Sequence, residues 1–220
     1  MKIPVIRKIL EKNEERATEL REKFDKNNIL VLNLISSPGA GKTTLLVRTL
    51  SALKRQFNLG VIEGDIQTTA DAQRIAQTGV QTVQINTDGA CHLDSNMIYA
   101  AIQKMNLDGL DILFIENVGN LVCPAEFKVG EDFKIALLSI PEGDDKPEKY
   151  PLLFSEAKVL VINKIDLLPY LDFDLEKVKK VVRTLNPDID IFMVSAKTGQ
   201  GFDEWLNWLT NKVNSKKQKK

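Results

Sequence analysis

Ile29-Leu-Val-Leu-Asn-Leu-Ile-Ser36-Ser-Pro38-Gly39-Ala40-Gly41-Lys42-Thr43-Thr44 is the stretch that decides the fold. Its first half is apolar on both faces, as a parallel strand buried inside a sheet must be. Its second half is a glycine turn that opens into a helix. Gly39 and Gly41 free the backbone to curl, so that successive N–H groups converge on phosphate oxygens. The helix from Lys42 aims its positive end at the same point. Lys42 can reach a β- and a γ-phosphate, and the Thr43 hydroxyl can hold Mg²⁺. Pro38, Gly39, Ala40, Gly41, Lys42, Thr43 and Thr44 are therefore candidate nucleotide-binding residues. The usual pattern places glycine where this chain has Ser36. Serine tolerates a positive φ poorly, so the departure bears on the loop entrance. The competing reading is a plain glycine turn before a helix; the strand ahead of it and a base-reading motif downstream argue against that.

Outward from this loop the chain alternates. Strand-like apolar runs fall at 29–36, 59–64, 81–86, 111–118, 133–140, 158–163 and 190–195. Helical patterns lie between most of them, at 42–55, 68–78, 92–106, 175–186 and 201–214. Such alternation predicts an α/β fold of the P-loop NTPase kind: a mostly parallel, twisted sheet of about seven strands with helices on both faces. Residues 5–27 form an additional amphipathic helix, with Ile6, Ile9, Leu10, Ala17, Leu20 and Phe24 at helical spacing. That helix must lie on the domain or on a partner. The breaker-rich stretch 141–151 reads as a polar loop. The expected organisation is an N-terminal helix over 1–28, a GTPase domain over 29–214 and a frayed basic tail over 215–220.

Composition narrows the class. A chain of 220 residues that is 43% hydrophobic can bury a large core. Thirty basic residues balance thirty acidic ones, so no overall field points to nucleic acid or to an anionic membrane. No apolar run approaches a bilayer span, and the start does not read as a signal peptide. Two cysteines make no disulfide framework, which suits a reducing cytoplasm.

The base-reading motif is Asn163-Lys164-Ile165-Asp166, directly after a strand. Guanine presents two donors side by side, and the acceptor-only carboxylate of Asp166 can take both; adenine lacks that pair. Lys164 can cover the base plane, and Asn163 can tie this loop to the phosphate loop. After the last strand, Ser195-Ala196-Lys197-Thr198 supplies N–H groups for the guanine carbonyl. The order of these motifs predicts GTP and GDP rather than ATP.

Two acidic positions close other strands. Glu116 precedes Asn117-Val118-Gly119 and suits a second anchor on the magnesium shell, while Gly119 can meet the γ-phosphate through its N–H. Asp65, in Glu63-Gly-Asp65-Ile-Gln-Thr-Thr69, is a candidate for holding magnesium or orienting the attacking water; a helix N-cap is its structural alternative. Lys42, Thr43, Asp65 and Glu116 form the expected catalytic set, with Thr43, Asp65 and Glu116 around Mg²⁺. No arginine stands out as an internal finger, so slow intrinsic hydrolysis is expected.

The soft ligands fall in two loops. Cys91 and His92 follow the strand 81–86, and Cys123 follows 111–118. In an open parallel sheet both loops should gather at the carboxyl edge, with the phosphate site. Two thiolates and an imidazole suit Zn²⁺ or Ni²⁺. A fourth ligand would be water or a group from a second subunit. Taken singly, each cysteine reads as a small buried apolar residue and His92 as the start of the helix 92–106; together on one edge they point to metal.

The strings Ser36-Ser-Pro-Gly-Ala-Gly-Lys-Thr-Thr44, Glu63-Gly-Asp-Ile-Gln-Thr-Thr-Ala-Asp71-Ala-Gln-Arg74-Ile, Cys91-His92-Leu-Asp94, Glu116-Asn-Val-Gly-Asn-Leu-Val-Cys-Pro124 and Asn163-Lys-Ile-Asp166 resemble the hydrogenase nickel-incorporation GTPases, the HypB family. The resemblance covers nearly the whole chain from about Ile6. It implies a GTP-dependent homodimer of the SIMIBI class, with metal held at the interface by Cys91, His92 and Cys123. It further implies work in maturing nickel–iron hydrogenase, beside a small zinc-containing nickel-delivery protein and the hydrogenase large-subunit precursor. Some members carry an N-terminal cysteine motif or a histidine-rich stretch. This chain has neither, so tight nickel storage is not expected. The alternatives are a urease-accessory-type nickel GTPase, whose Cys-Pro-His motif is missing here, and an interaction switch with only a structural metal.

Overall fold

The structure is a computed structural model that describes residues 5–66 and 69–218, with side chains from Leu10 onward. Gln67, Thr68 and the final Lys219-Lys220, together with the side chains of Ile6 and Ile9, lie outside the described residues.

Seven strands form one sheet: β1 (Leu30–Ser36), β2 (Leu59–Asp65), β3 (Gln81–Asn86), β4 (Ile112–Glu116), β5 (Phe133–Ser139), β6 (Val159–Asn163) and β7 (Asp190–Met193). Their order is β3-β2-β4-β1-β5-β6-β7, and every pair is parallel. The apolar runs are strands because both of their faces are covered. On one face Leu30, Leu32 and Leu34 pack with Leu45, Leu46 and Leu50 of α2 (Lys42–Leu53), Ile75 of α3 (Ala70–Ala76) and Trp205, Leu209 and Val213 of α9 (Phe202–Gln218). On the other face, α1 (Val5–Lys26) and α4 (Ser95–Ile102) cover the β2–β4 side. There α7 (Pro151–Glu156) and α8 (Leu175–Leu185) cover β5 and β6. Each large aliphatic side chain buried this way contributes about 1.5–3 kcal/mol. A short helix, α5 (Cys123–Glu126), lies in the connection from β4 to β5.

The amphipathic first helix lies on its own domain. Asn13, Ala17, Leu20 and Phe24 recur at spacings of four, three and four and are all buried. The helix seats closely where the chain turns before β5. A side chain on Gly130, φ +83°, would come within 2.6 Å of Leu20 Cβ.

Three expectations need correction. The stretch 141–151 is not a plain loop. It holds a 3₁₀ turn over Ile140–Glu142, a short helix α6 (Lys146–Lys149) and the start of α7. Pro141, Pro147 and Pro151 each occupy a first turn, where the missing N–H costs nothing, so the breakers begin helices. The helix expected over 92–106 begins only at Ser95, because the Asp94 carboxylate caps it by accepting from Met97 N–H at 2.8 Å. His92 therefore precedes the helix. The basic end is not frayed from 215: α9 runs to Gln218, Lys216 pairs with Asp25 and Asp132, and Lys217 pairs with Asp111.

Candidate functional site: a nucleotide cavity beside a Cys-His-Cys cluster

The phosphate loop joins β1 to α2 through two left-handed glycines, Gly39 at φ +78° and Gly41 at +96°. Ser36 ends β1 as buried strand, so the positive φ falls on the glycines and not on the serine. Its hydroxyl oxygen accepts from Lys42 Nζ at 2.9 Å, the cation lying folded across the loop. Burial holds the Lys42 ammonium below its ordinary pKa. Pro38, Gly39, Gly41, Lys42, Thr43 and Thr44 line a cavity of about 510 Å³ together with Asp65, Glu116, Gly119 and Lys164.

The loops expected to read the base are fastened to the phosphate loop. Asn163 donates from Nδ2 to the Ala40 carbonyl at 2.9 Å, and its Oδ1 accepts from Ala196 N–H at 3.0 Å. A Cβ on Gly41 would come within 2.7 Å of Asn163 Nδ2, so glycine is required there for close approach as well as for φ. Lys164, itself at φ +61°, donates to the Gly39 carbonyl at 2.7 Å. Ser195 is buried and its hydroxyl accepts from Thr198 N–H at 3.1 Å, shaping the turn that presents Ala196 and Lys197. Arg48, which drew no notice in the sequence, donates to the carbonyls of Ala196, Lys197 and Thr198 at 3.2 Å each. Asp166 Oδ1 is buried with no hydrogen-bond partner among the described residues. A buried carboxylate oxygen of that kind fits a base with paired N–H donors.

At the other end of the cavity, Thr43 Oγ1 donates to Glu116 Oε1 at 2.8 Å. Glu63 is the register partner of Glu116 on the neighbouring strand. Both carboxylates are buried, and each has an Oε2 without a hydrogen-bond partner among the described residues. Burial pushes Glu116 up to about 7. Burial, then the nearby charge of Glu116, pushes Glu63 up to about 8. Two confined carboxylates beside a threonine hydroxyl are a donor set that fits Mg²⁺, whose charge would offset both desolvations. Asp65 closes β2 at the cavity wall, and Thr69, not Asp65, is the N-cap position of α3. Gly119 passes so close under the phosphate loop that a Cβ would lie 2.9 Å from Pro38 Cγ. Arg74 also reaches the cavity: it pairs with Asp71 at 3.0 Å and donates to Thr44 Oγ1 at 3.1 Å. An arginine therefore stands at the cavity wall, held there by Asp71 and Thr44. The one available signal was the three-residue spacing of Asp71 and Arg74 on a helix.

The soft ligands converge. Cys91 Sγ lies 3.2 Å from Cys123 Sγ and 3.7 Å from His92 Nδ1, with one ligand atom of each residue within 4.8 Å of the others. The loops come from β3 and β4, which are separated in the sheet by β2. The first loop crosses the end of β2 because Gly64 has no side chain; a Cβ there would strike Leu93 at 2.7 Å. Asn120 ties the loops by donating to the Cys91 carbonyl at 3.4 Å. The His92 ring packs on Phe127, 4.0 Å between centroids, and burial depresses its pKa, which keeps the imidazole neutral as a metal ligand must be. The hydrogen bond from Cys91, with burial, raises the Cys123 thiol. Two sulfurs and one nitrogen at this separation suit a soft or borderline divalent ion.

A family profile described as CobW/HypB/UreG, nucleotide-binding domain, matches residues 29–193. The hydrogenase maturation factor HypB of Escherichia coli K12 is 54% identical over 201 residues, which is 91% of this chain and 69% of that protein. This chain thus spans about two thirds of that relative's length. The crystal structure of HypB from Helicobacter pylori in complex with nickel superposes with a TM-score of 0.88 at 41% identity, covering 93% of this chain and 96% of that one. HypB from Archaeoglobus fulgidus gives a TM-score of 0.87 at 36% identity over 93% of this chain and all of that one.

Proposed function

The chain belongs to the HypB hydrogenase maturation factors of the CobW/HypB/UreG nucleotide-binding family, and from that premise we propose that it hydrolyses GTP slowly and uses the cycle to control delivery of nickel to the hydrogenase large-subunit precursor. One observation carries the proposal. The Cys91, His92 and Cys123 ligand atoms stand within 4.8 Å of one another, on the same sheet edge as the bond from Thr43 to Glu116.

Asp166 reads guanine, and Asn163, Lys164 and Ala196 hold the base loops against the phosphate loop. Lys42, freed from Ser36, reaches the β- and γ-phosphates, while the N–H groups from Gly39 to Thr44 surround them. Thr43 and Glu116 hold Mg²⁺, with Asp65 and Glu63 around that shell. Mg²⁺ held by these residues would supply positive charge against the charge developing on the phosphoryl oxygens. Asp65 orients the attacking water, and Gly119 donates its N–H toward the γ-phosphate. Nickel is the cargo, and zinc competes for the same three ligands. A second copy of the chain, facing the first across the nucleotides, completes the coordination, and a small zinc-containing accessory protein shares the delivery. The working unit is a GTPase domain over residues 29–214 with α1 packed on it.

Titration with Ni²⁺ and Zn²⁺, in GDP and in a non-hydrolysable GTP analogue, tests this reading. A metal affinity that changes at least fivefold with the nucleotide is expected, as typical couplings between sites are about 5–150-fold. Cys123→Ala should weaken metal binding while sparing the analogue. Metal affinity blind to nucleotide would leave only a structural metal beside a GTPase.

A further inference from the structure

One buried side chain lines the nucleotide cavity and also hydrogen-bonds the backbone beside the Cys-His-Cys cluster. Asn117 stands between Glu116, which receives Thr43, and Val118-Gly119, which pass beneath Pro38. It is 1% exposed. Its Oδ1 accepts two hydrogen bonds of 3.0 Å, one from Val118 N–H and one from Leu93 N–H. Leu93 is the residue after His92. The Asn117 Nδ2 donates to Asn33 Oδ1 at 3.1 Å. Asn33 is a fully buried polar residue inside the apolar β1. Asn33 Nδ2 donates in turn to Glu131 Oε1 at 3.4 Å, and Glu131 Oε2 accepts from Val129 N–H at 2.7 Å. The network therefore ends on the segment that lies beyond Cys123.

A buried carboxamide engaged at both ends has one orientation, and leaving either end unpaired is costly. Because Leu93 and Val118 share one acceptor atom, neither amide can shift without disturbing the other. Glu116 and Gly119, on either side, are the groups that would meet magnesium and the γ-phosphate.

We propose that the Asn117 carboxamide is a positioning device that transmits the state of the nucleotide cavity to the Cys91-His92 turn. The proposal rests on the reading that nucleotide controls metal affinity, and it names the atoms that do so. Asn13 provides a contrast. It is buried on α1, its Nδ2 donates to the Lys128 carbonyl at 2.8 Å, and its Oδ1 accepts from Ser95 N–H at 2.8 Å. It steadies both ligand-bearing segments from the far side and is absent from the cavity wall.

The experiment measures the Ni²⁺ dissociation constant in GDP and in a non-hydrolysable GTP analogue for wild type, Asn117→Ala, Asn33→Ala and Asn13→Ala. The ratio of the two constants is the readout, and analogue affinity without metal is the control. Asn117→Ala should bring the ratio to within about twofold of one, with both constants read at nucleotide concentrations that saturate the variant. Asn33→Ala, which keeps the bond to Leu93 but releases the other end of the amide, should reduce the ratio in part. Asn13→Ala should weaken nickel in both states and preserve the ratio. A wild-type ratio in Asn117→Ala overturns the proposal. If that variant fails to fold, a wild-type ratio in Asn33→Ala overturns it instead. A ratio of one in the wild type removes nucleotide control itself, a failure distinct from control that survives in the variants.

Discussion

Glu63 and Glu116 are two carboxylates that burial keeps protonated well above the carboxylate range. An unfolded chain loses both protons near 4.5, whereas the folded chain keeps them to about 8 and about 7. Between those limits the native state binds more protons than the unfolded one, so stability falls as pH rises. Without Mg²⁺ and nucleotide, thermal melts should show a midpoint that drops from pH 5 toward pH 8. Glu63→Gln should flatten that slope, and an unchanged slope would mean that Glu63 ionises freely in the fold. Only half of this pair was legible in the sequence. Glu116 stands three residues before a glycine at the end of a strand, which marks it. Glu63 lies two residues inside a strand end and acquires meaning only because β2 pairs with β4 in the register that sets it against Glu116.

Among the elements, α1 shows how a helical period becomes a docking face. The spacing of Ala17, Leu20 and Phe24 announced an apolar stripe, and the stripe is buried. What the period could not name was its seat, the turn at Gly130. Gly130→Ala sets a Cβ against Leu20 and forces a non-glycine residue into φ +83°. Overpacking and the left-handed backbone together should cost about 2 kcal/mol or more. The melting midpoint should fall by roughly 4 °C or more, read by circular dichroism; an unchanged midpoint would mean that α1 sits loosely. The short helices after β5 were misread for a related reason. Pro141, Pro147 and Pro151 signal a break in the preceding element and, equally, the first turn of the next one. The flanking residues decide between the two, here through a Ser139–Glu142 capping box and apolar contacts from Leu153 and Phe154.

At the scale of the molecule, the last turn of α9 fastens the first helix to the sheet. Lys216 pairs with Asp25 at the end of α1 and with Asp132 just before β5, and Arg21 pairs with both aspartates as well. Lys216→Met should destabilise by about 1 kcal/mol, more than an isolated exposed pair, since Lys216 and Asp132 are mostly covered. The loss should shrink in 1 M NaCl, where screening shortens the reach of charge to about 3 Å. Melts of both proteins at low and high salt check this, and a salt-independent gap would assign the effect to packing of the lysine stem. From sequence these residues read as a solvated tail because their partners lie 84 and 191 positions away.

The alternation of apolar runs with helical periods, the glycines of the phosphate loop, and the order of the motifs were determined by the sequence alone. Each depends on residues near one another in the chain, where backbone sterics and periodicity act directly. The tertiary structure decided which distant residues meet. It brought Cys91 within 3.2 Å of Cys123 across the end of β2, set Glu63 beside Glu116, and placed Asn117 against Leu93. Those contacts depend on strand order and register, which are fixed by packing the whole sheet between its helices.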